Sequence, residues 1–125
     1  MSALILIVDD DWMNLEIVET YLLMAGYRVN TAHNGGNALQ MTLIEPPDLV
    51  LLDVMLPDIN GNEVCRRLKQ DKRTSDIPVL MLTALQTHED REHSLDAGAD
   101  GFISKPFIAE LMITQIEDLL AAKRQ

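Results

Sequence analysis

The sequence predicts an α/β domain: a five-stranded parallel sheet in the order 2-1-3-4-5, with helices on both faces. Three observations carry this. Five strand-like apolar runs alternate with five stretches of helical periodicity. The middle runs, DLVLLD at 48–53 and IPVLMLT at 77–83, are apolar almost throughout, as strands covered on both faces are. The second run alternates and the fifth is short, which puts both at edges. Crossovers are expected to be right-handed. The 125 residues, 47% of them apolar, suit one domain spanning 1–125, with no internal repeat, low-complexity segment or linker.

Each element has its own signal. Leu4–Val8 is the first strand. Asn14–Met24 carries Leu15, Val18 and Leu22 on one helical stripe, and Gly26 stands where a C-terminal glycine ends a helix. Tyr27–Ala32 sets Tyr27, Val29 and Thr31 against Arg28 and Asn30, a strand with one exposed face. Ala38–Ile44 is helical and stops before Pro46-Pro47. Asp48–Asp53 is the third strand, and LPDINGNE after it is a loop. Glu63–Gln70 is helical, Ile77–Thr83 the fourth strand, and Glu89–Ala97 a helix ending at Gly98. Gly101–Ser104 is the fifth strand, and Phe107–Leu120 the last helix.

Composition narrows the function. The formal net charge is −10, which repels phosphate backbones and disfavours direct nucleic-acid binding. No basic run offsets it; Lys123-Arg124 suits a helix end. Cys65 stands alone, so no internal disulfide forms, and no Cys/His cluster suggests zinc. No apolar run approaches the roughly 18 residues of a membrane span, and no leader pattern opens the chain. These features predict a cytoplasmic protein with no membrane association.

In an open α/β sheet, ligands bind beyond the carboxyl ends of the strands, where the strand order reverses. The switch lies between strands one and three. Asp9, Asp10 and Asp11 follow the first, Asp53 the third, Thr83 ends the fourth and Lys105 follows the fifth. A run of three Asp alone would read as a solvated loop. At the end of a buried strand, facing Asp53, it suits a hard divalent cation, Mg²⁺ or Mn²⁺, held by one or two carboxylates with room for phosphate oxygens. One carboxylate can instead act as a nucleophile and form an aspartyl phosphate, with metal and lysine neutralising the phosphoryl oxygens.

VDDD at 8–11, LLDVMLPDING at 51–61, LTA at 82–84 and SKPF at 104–107, in that order, resemble the receiver domain of bacterial two-component response regulators, chemotaxis regulators included, over essentially the whole chain. The resemblance implies the flavodoxin-like (βα)₅ fold. It also implies that Asp53 accepts a phosphoryl group from a phosphohistidine on a histidine kinase or histidine phosphotransfer protein. Asp10 then ligates the metal directly, Asp9 acts mainly through water, and Asp53 and the Met55 carbonyl complete the protein's share. Lys105 pairs with the phosphoryl group, and Thr83 and the Ala84 N–H bind its oxygens. Lys105-Pro106 is expected to be cis. Such a domain is a signalling switch rather than a turnover enzyme; it catalyses its own phosphorylation and slow dephosphorylation.

The switch would run through Thr83 and Phe102 to helix four, strand five and helix five, and act on an output protein or fused output domain. The chain would be a monomer or a phosphorylation-dependent homodimer. Many family members have Tyr where Phe102 stands, so no ring hydroxyl locks an inward state here. Met55 and Leu85, apolar at positions flanking the site, would slow the attacking water. Gln115 stands where an arginine is common in the winged-helix transcription factor class. The stretch 84–107 is closer to receivers attached to cyclic-di-GMP enzymes or hybrid kinases.

A second reading is a phosphohydrolase of the haloacid dehalogenase type, with Asp9 as nucleophile in D-x-D. Against it, Met13 replaces the usual Thr or Val, no acidic pair follows Lys105 at a further strand end, and there is no room for a cap. A third is a receiver that only binds proteins; the full set of site residues argues against it. His33, His88 and His93 read as surface residues away from the strand-end rim, Cys65 as a small buried hydrophobe, Asp58 as a turn residue, and Trp12 as a rim residue able to report metal or phosphate.

Overall fold

The computed structural model describes residues 2–84 and 87–123. Strands and helices alternate: β1 (Leu4–Val8), α1 (Trp12–Met24), β2 (Arg28–Ala32), α2 (Gly35–Ile44), β3 (Leu49–Leu52), α3 (Gly61–Gln70), β4 (Val79–Thr83), α4 (His88–Asp96), β5 (Gly101–Ser104) and α5 (Ala109–Lys123). Every strand pairing is parallel, and the order is β2-β1-β3-β4-β5, the flavodoxin-like (βα)₅ arrangement expected from the sequence.

Alternation along each strand builds two cores. Leu6, Val8, Val50, Leu52, Val79 and Met81 face α2 and α3, where they meet Ala38, Val64, Cys65 and Leu68. Their neighbours Ile5, Ile7, Leu49, Leu51, Leu80 and Leu82 face α1 and α5, where they meet Leu15, Val18, Leu22, Met112 and Ile116. Successive side chains of a strand point to opposite faces, so a sheet covered on both sides needs apolar residues at every position. Cys65 is fully buried, and desolvation pushes its thiol up to about 11, consistent with a packing role.

Helix starts differ from the sequence expectation in both directions. α1, α2 and α3 each start two or three residues earlier, because Asp11, Asn34 and Asn60 cap them through side-chain acceptors. Apolar periodicity begins only where a helix first touches the core, so it misses the capped first turn. Phe107 lies before α5 rather than in it; the helix begins at Ala109. Gly26 and Gly98 adopt φ of 93° and 100° just after α1 and α4, where a side chain would be strained.

Candidate functional site

The sheet itself brings the key carboxylates together. The ladder runs one residue past the strand ends: the Asp9 N–H donates to the Ala32 carbonyl (3.1 Å), and the Asp53 N–H donates to the Val8 carbonyl (3.0 Å). Asp9 and Asp53 therefore leave adjacent strands side by side. Both are buried, at 4% and 7% exposure.

Lys105 lies between them. Its Nζ donates to Asp9 Oδ2 at 2.8 Å and to Asp53 Oδ2 at 2.9 Å. Its backbone N–H donates to the Thr83 carbonyl at 2.8 Å, and the Lys105-Pro106 peptide is cis, as expected. The remaining carboxylate oxygens are also used: Asp9 Oδ1 accepts from the Asp11 N–H and Asp53 Oδ1 from the Met55 N–H, each at 3.0 Å.

Charge does not balance here. Asp10, exposed, brings a third carboxylate, and one oxygen from each of Asp9, Asp10 and Asp53 lies within 4.8 Å of the others. Burial pushes the Asp9 carboxyl up, and the hydrogen bond from Lys105 only partly opposes it. Burial also works against the charge on Lys105, but its hydrogen bonds to Asp9 and Asp53 outweigh that and raise its pKa. Lys105 stays charged, and the carboxylates retain a negative surplus. This all-oxygen donor set, beside an open cleft of about 550 Å³, fits a small hard divalent cation such as Mg²⁺.

The three consecutive aspartates do different work. Asp9 is buried against Lys105 and Asp10 is exposed at the cleft, whereas Asp11 caps α1, its Oδ1 accepting from the Met13 N–H at 2.9 Å. Met55, 61% exposed, lines the cleft with Asn14 and Asn60, which the sequence does not single out. Both asparagines sit in the first turn or cap of a helix that starts at the rim. Thr83 is fully buried at the end of β4 and Ala84 is exposed; neither lines the cleft. Phe102 is half-buried on β5 under the Arg91 guanidinium, 5.4 Å from the ring centroid. Leu85 lies outside the described residues.

Three other expectations meet the structure. Asp58 is more than a turn residue: its carboxylate accepts from the Gly35 and Gly36 N–H groups at 2.8 and 2.9 Å, joining the β3–α3 loop to the start of α2 and holding its own pKa down. His33 is not an ordinary surface residue. It directly follows β2, at the same end of the sheet as the cleft, half-buried, with its ring 3.7 Å from that of Trp12. The contact is long-range and leaves no mark in the sequence. Trp12 is at the rim as expected, 70% exposed.

Comparison with known proteins agrees with this geometry. The response regulator receiver domain model matches residues 5–117. The DNA-binding dual master transcriptional regulator RpaA of Synechocystis is 48% identical over 118 residues, covering 93% of this chain and 48% of the relative. The response regulator PleD of Caulobacter vibrioides is 42% identical over 123 residues, covering 98% of this chain and 27% of the relative. The chain thus spans half or less of these relatives. A putative response regulator from Chloroflexus aurantiacus, 36% identical, superposes with a TM-score of 0.94 over 97% of this chain and 99% of that one. With the acidic cluster at the switch of strand order and a lysine joining its buried members, the chain belongs to the receiver domains of response regulators.

Proposed function

We propose that the chain, a single receiver domain over 1–125, accepts a phosphoryl group on Asp53 from a phosphohistidine of a histidine kinase or histidine phosphotransfer protein in the cytoplasm. The observation that carries this is Lys105, within 2.9 Å of both Asp9 and Asp53 in a cleft that holds a third carboxylate. An Asp53 oxygen attacks phosphorus, a P–O bond forms, the P–N bond to the donor imidazole breaks, and the imidazole leaves. Mg²⁺ or Mn²⁺, when bound, supplies positive charge to the phosphoryl oxygens. Asp10 and Asp53 would hold it directly, Asp9 through water, and the Met55 carbonyl would complete the set. The Met55 N–H fixes the acceptor carboxylate from behind. Lys105 neutralises the growing charge and moves from the carboxylates to the phosphoryl group.

Thr83 and the Ala84 N–H bind the remaining oxygens, and Thr83 moves toward the site to do so. Phe102 then takes the space it leaves, and α4, β5 and α5 change together. The changed face acts on an output protein or fused output domain, with the chain as monomer or phosphorylation-dependent homodimer. The family's chemistry is transfer onto its own aspartate and slow hydrolysis, not turnover of a free substrate.

Incubation with Mg²⁺ and acetyl phosphate, followed by intact mass, tests this. One phosphoryl adduct is expected on the wild type, absent without Mg²⁺ and absent in Asp53→Asn. Phosphate release is read in the same tubes. Continuous release that survives Asp53→Asn but stops in Asp9→Asn would replace this function with the hydrolase. Neither adduct nor release would reduce it to protein binding.

A further inference from the structure

The chain has ten Lys and Arg, and five of them, Arg66, Arg67, Lys69, Lys72 and Arg73, fall within eight residues at and after the end of α3. Leu68, Gln70 and Asp71 interrupt the cluster, so it does not read as a basic run in the sequence. One or two cations satisfy a helix C-terminus; five exceed that need. Residues 61–73 carry a net +3 in a chain of −10.

The structure orders the three arginines without covering them, whereas Lys69 is tied to Asp100. Glu63 accepts from Arg66 at 2.7 Å and from Arg67 at 3.0 Å, and Asp71 receives Arg73 on both oxygens, at 3.1 and 2.7 Å. The guanidinium-bearing side chains remain 44%, 51% and 69% exposed. Beside them a groove of about 200 Å³ runs between α2 and α3, lined by Leu39, Leu43 and Leu68, by Arg67, and by Asp71, whose carboxylate is taken up by Arg73. Leu43 and Ile44 are exposed at the end of α2. Arginine is enriched at protein interfaces, whose buried centre is apolar.

Charge selects the occupant. At physiological salt, screening acts over about 8 Å, so a short ligand feels the local positive charge, which stays positive with Asp100 paired to Lys69, rather than the distant negative charge. An extended polyanion such as nucleic acid spans both and meets net repulsion. We propose that the α2–α3 groove docks a short acidic amphipathic segment of a partner protein. Its aliphatic side chains enter beside Leu39, Leu43 and Leu68, and its carboxylates pair with Arg66, Arg67 and Arg73. This surface is separate from the acidic cleft and from the α4–β5–α5 face, and it stands whether or not Asp53 is phosphorylated.

The probe is a fluorescein-labelled peptide of roughly three helical turns, with Leu at i, i+3 and i+7 among Glu residues. Controls are a scrambled peptide of equal composition, a DNA duplex and phosphatidylglycerol vesicles. Saturable binding is expected, with amide shifts in ¹⁵N-labelled wild type confined to α2 and α3. Arg66→Glu with Arg67→Glu, and separately Leu43→Lys, should each weaken it by about tenfold or more. Leu43→Lys adds positive charge, so its loss of affinity separates apolar docking from bare attraction. Circular dichroism confirms that the variants fold. No saturation by about 1 mM, equal binding of the scrambled peptide, shifts elsewhere, or tighter binding of duplex or vesicles overturns the proposal.

Discussion

Two lysines make the same kind of contact at opposite ends of the sheet, with different consequences. Lys69, at the end where β4 and β5 begin, donates to the Asp100 carboxylate and the Ile77 carbonyl, each at 2.8 Å. The same Asp100 oxygen accepts from the Val79 N–H at 2.8 Å. One cation meets one carboxylate, and both are tied to backbone; the arrangement fixes where two strands start. Lys105, at the other end, serves two buried carboxylates with a third nearby. A balanced pair locks structure, whereas a pair that leaves surplus negative charge in an open cleft keeps a place for a second cation and for an incoming phosphoryl group.

The largest contrast should come from removing each ammonium while keeping its stem. Lys105→Met is expected to slow adduct formation from acetyl phosphate by about 100-fold or more, the scale on which a positioned charge acts on a transition state. Lys69→Met should leave that rate within about twofold and cost about 1–3 kcal/mol in urea unfolding, because Asp100 loses a charged partner. Equal rate losses in both would mean that Lys105 is only another strut.

Two glycines carry the contrast into the backbone. The Gly61 N–H donates to the Val54 carbonyl at 2.8 Å, and an added Cβ would press on the Asp53 carbonyl oxygen and lie 2.7 Å from the Val54 Cα. Backbone there cannot yield without moving the acceptor. Gly61→Ala is expected to cost about 3 kcal/mol or more and to slow phosphorylation as well. At Gly98 the added Cβ would lie 2.9 Å from Lys69 Cγ and 3.4 Å from its Cβ, in a stem whose ammonium is held by Asp100 and Ile77. Gly98→Ala is then expected to cost about 1–2 kcal/mol for its positive φ, and more as the Lys69 stem is displaced, with the transfer rate unchanged.

The charge surplus itself can be titrated. Burial holds the folded-state pKa of Asp9 above its ordinary value, so the folded protein keeps that proton to higher pH than the unfolded chain. Stability is then highest below the ordinary carboxylate range and falls as pH rises through the folded value; ionised Asp9 is a standing cost at neutral pH. Asp9→Asn should therefore raise the urea midpoint at neutral pH in EDTA, and the gain should vanish in acid. Mg²⁺ at about 100 times its Kd should stabilise the wild type by about 2.7 kcal/mol and Asp9→Asn by less. At the Lys69 end Mg²⁺ has no such purchase, so Lys69→Met should keep the full increment.

The two ends were unequally visible in the sequence. Asp9, Asp10, Asp53 and Lys105 each follow an apolar strand, and strand order alone brings strand ends to one rim. Their meeting could be inferred before any coordinate. Lys69 and Asp100 gave no such signal: one sits in a charged helix, the other in a loop, and only the tertiary packing of α3 beside β4 and β5 joins them. Helix starts escape the sequence for a related reason, since Asp11 and Asn60 act through bonds to backbone N–H groups that leave no periodicity. The stack of His33 on Trp12 depends on β2 ending beside β1, which the strand order permits but does not dictate at the level of two rings.

The smallest effect should be the most discriminating. Asp100→Asn keeps an oxygen that can still accept from both the Val79 N–H and the Lys69 ammonium, so every bond at that end survives and only charge is lost. Loss of about 1 kcal/mol is expected, shrinking with added salt because Asp100 is partly exposed. Asp53→Asn is the same substitution in a site where Lys105 likewise keeps an acceptor, yet it removes the nucleophile, so adduct formation should stop while the fold persists. If Asp100→Asn also slowed adduct formation, charge at the far end of the sheet would be felt at Asp53, and the division of labour between the two lysines would fail.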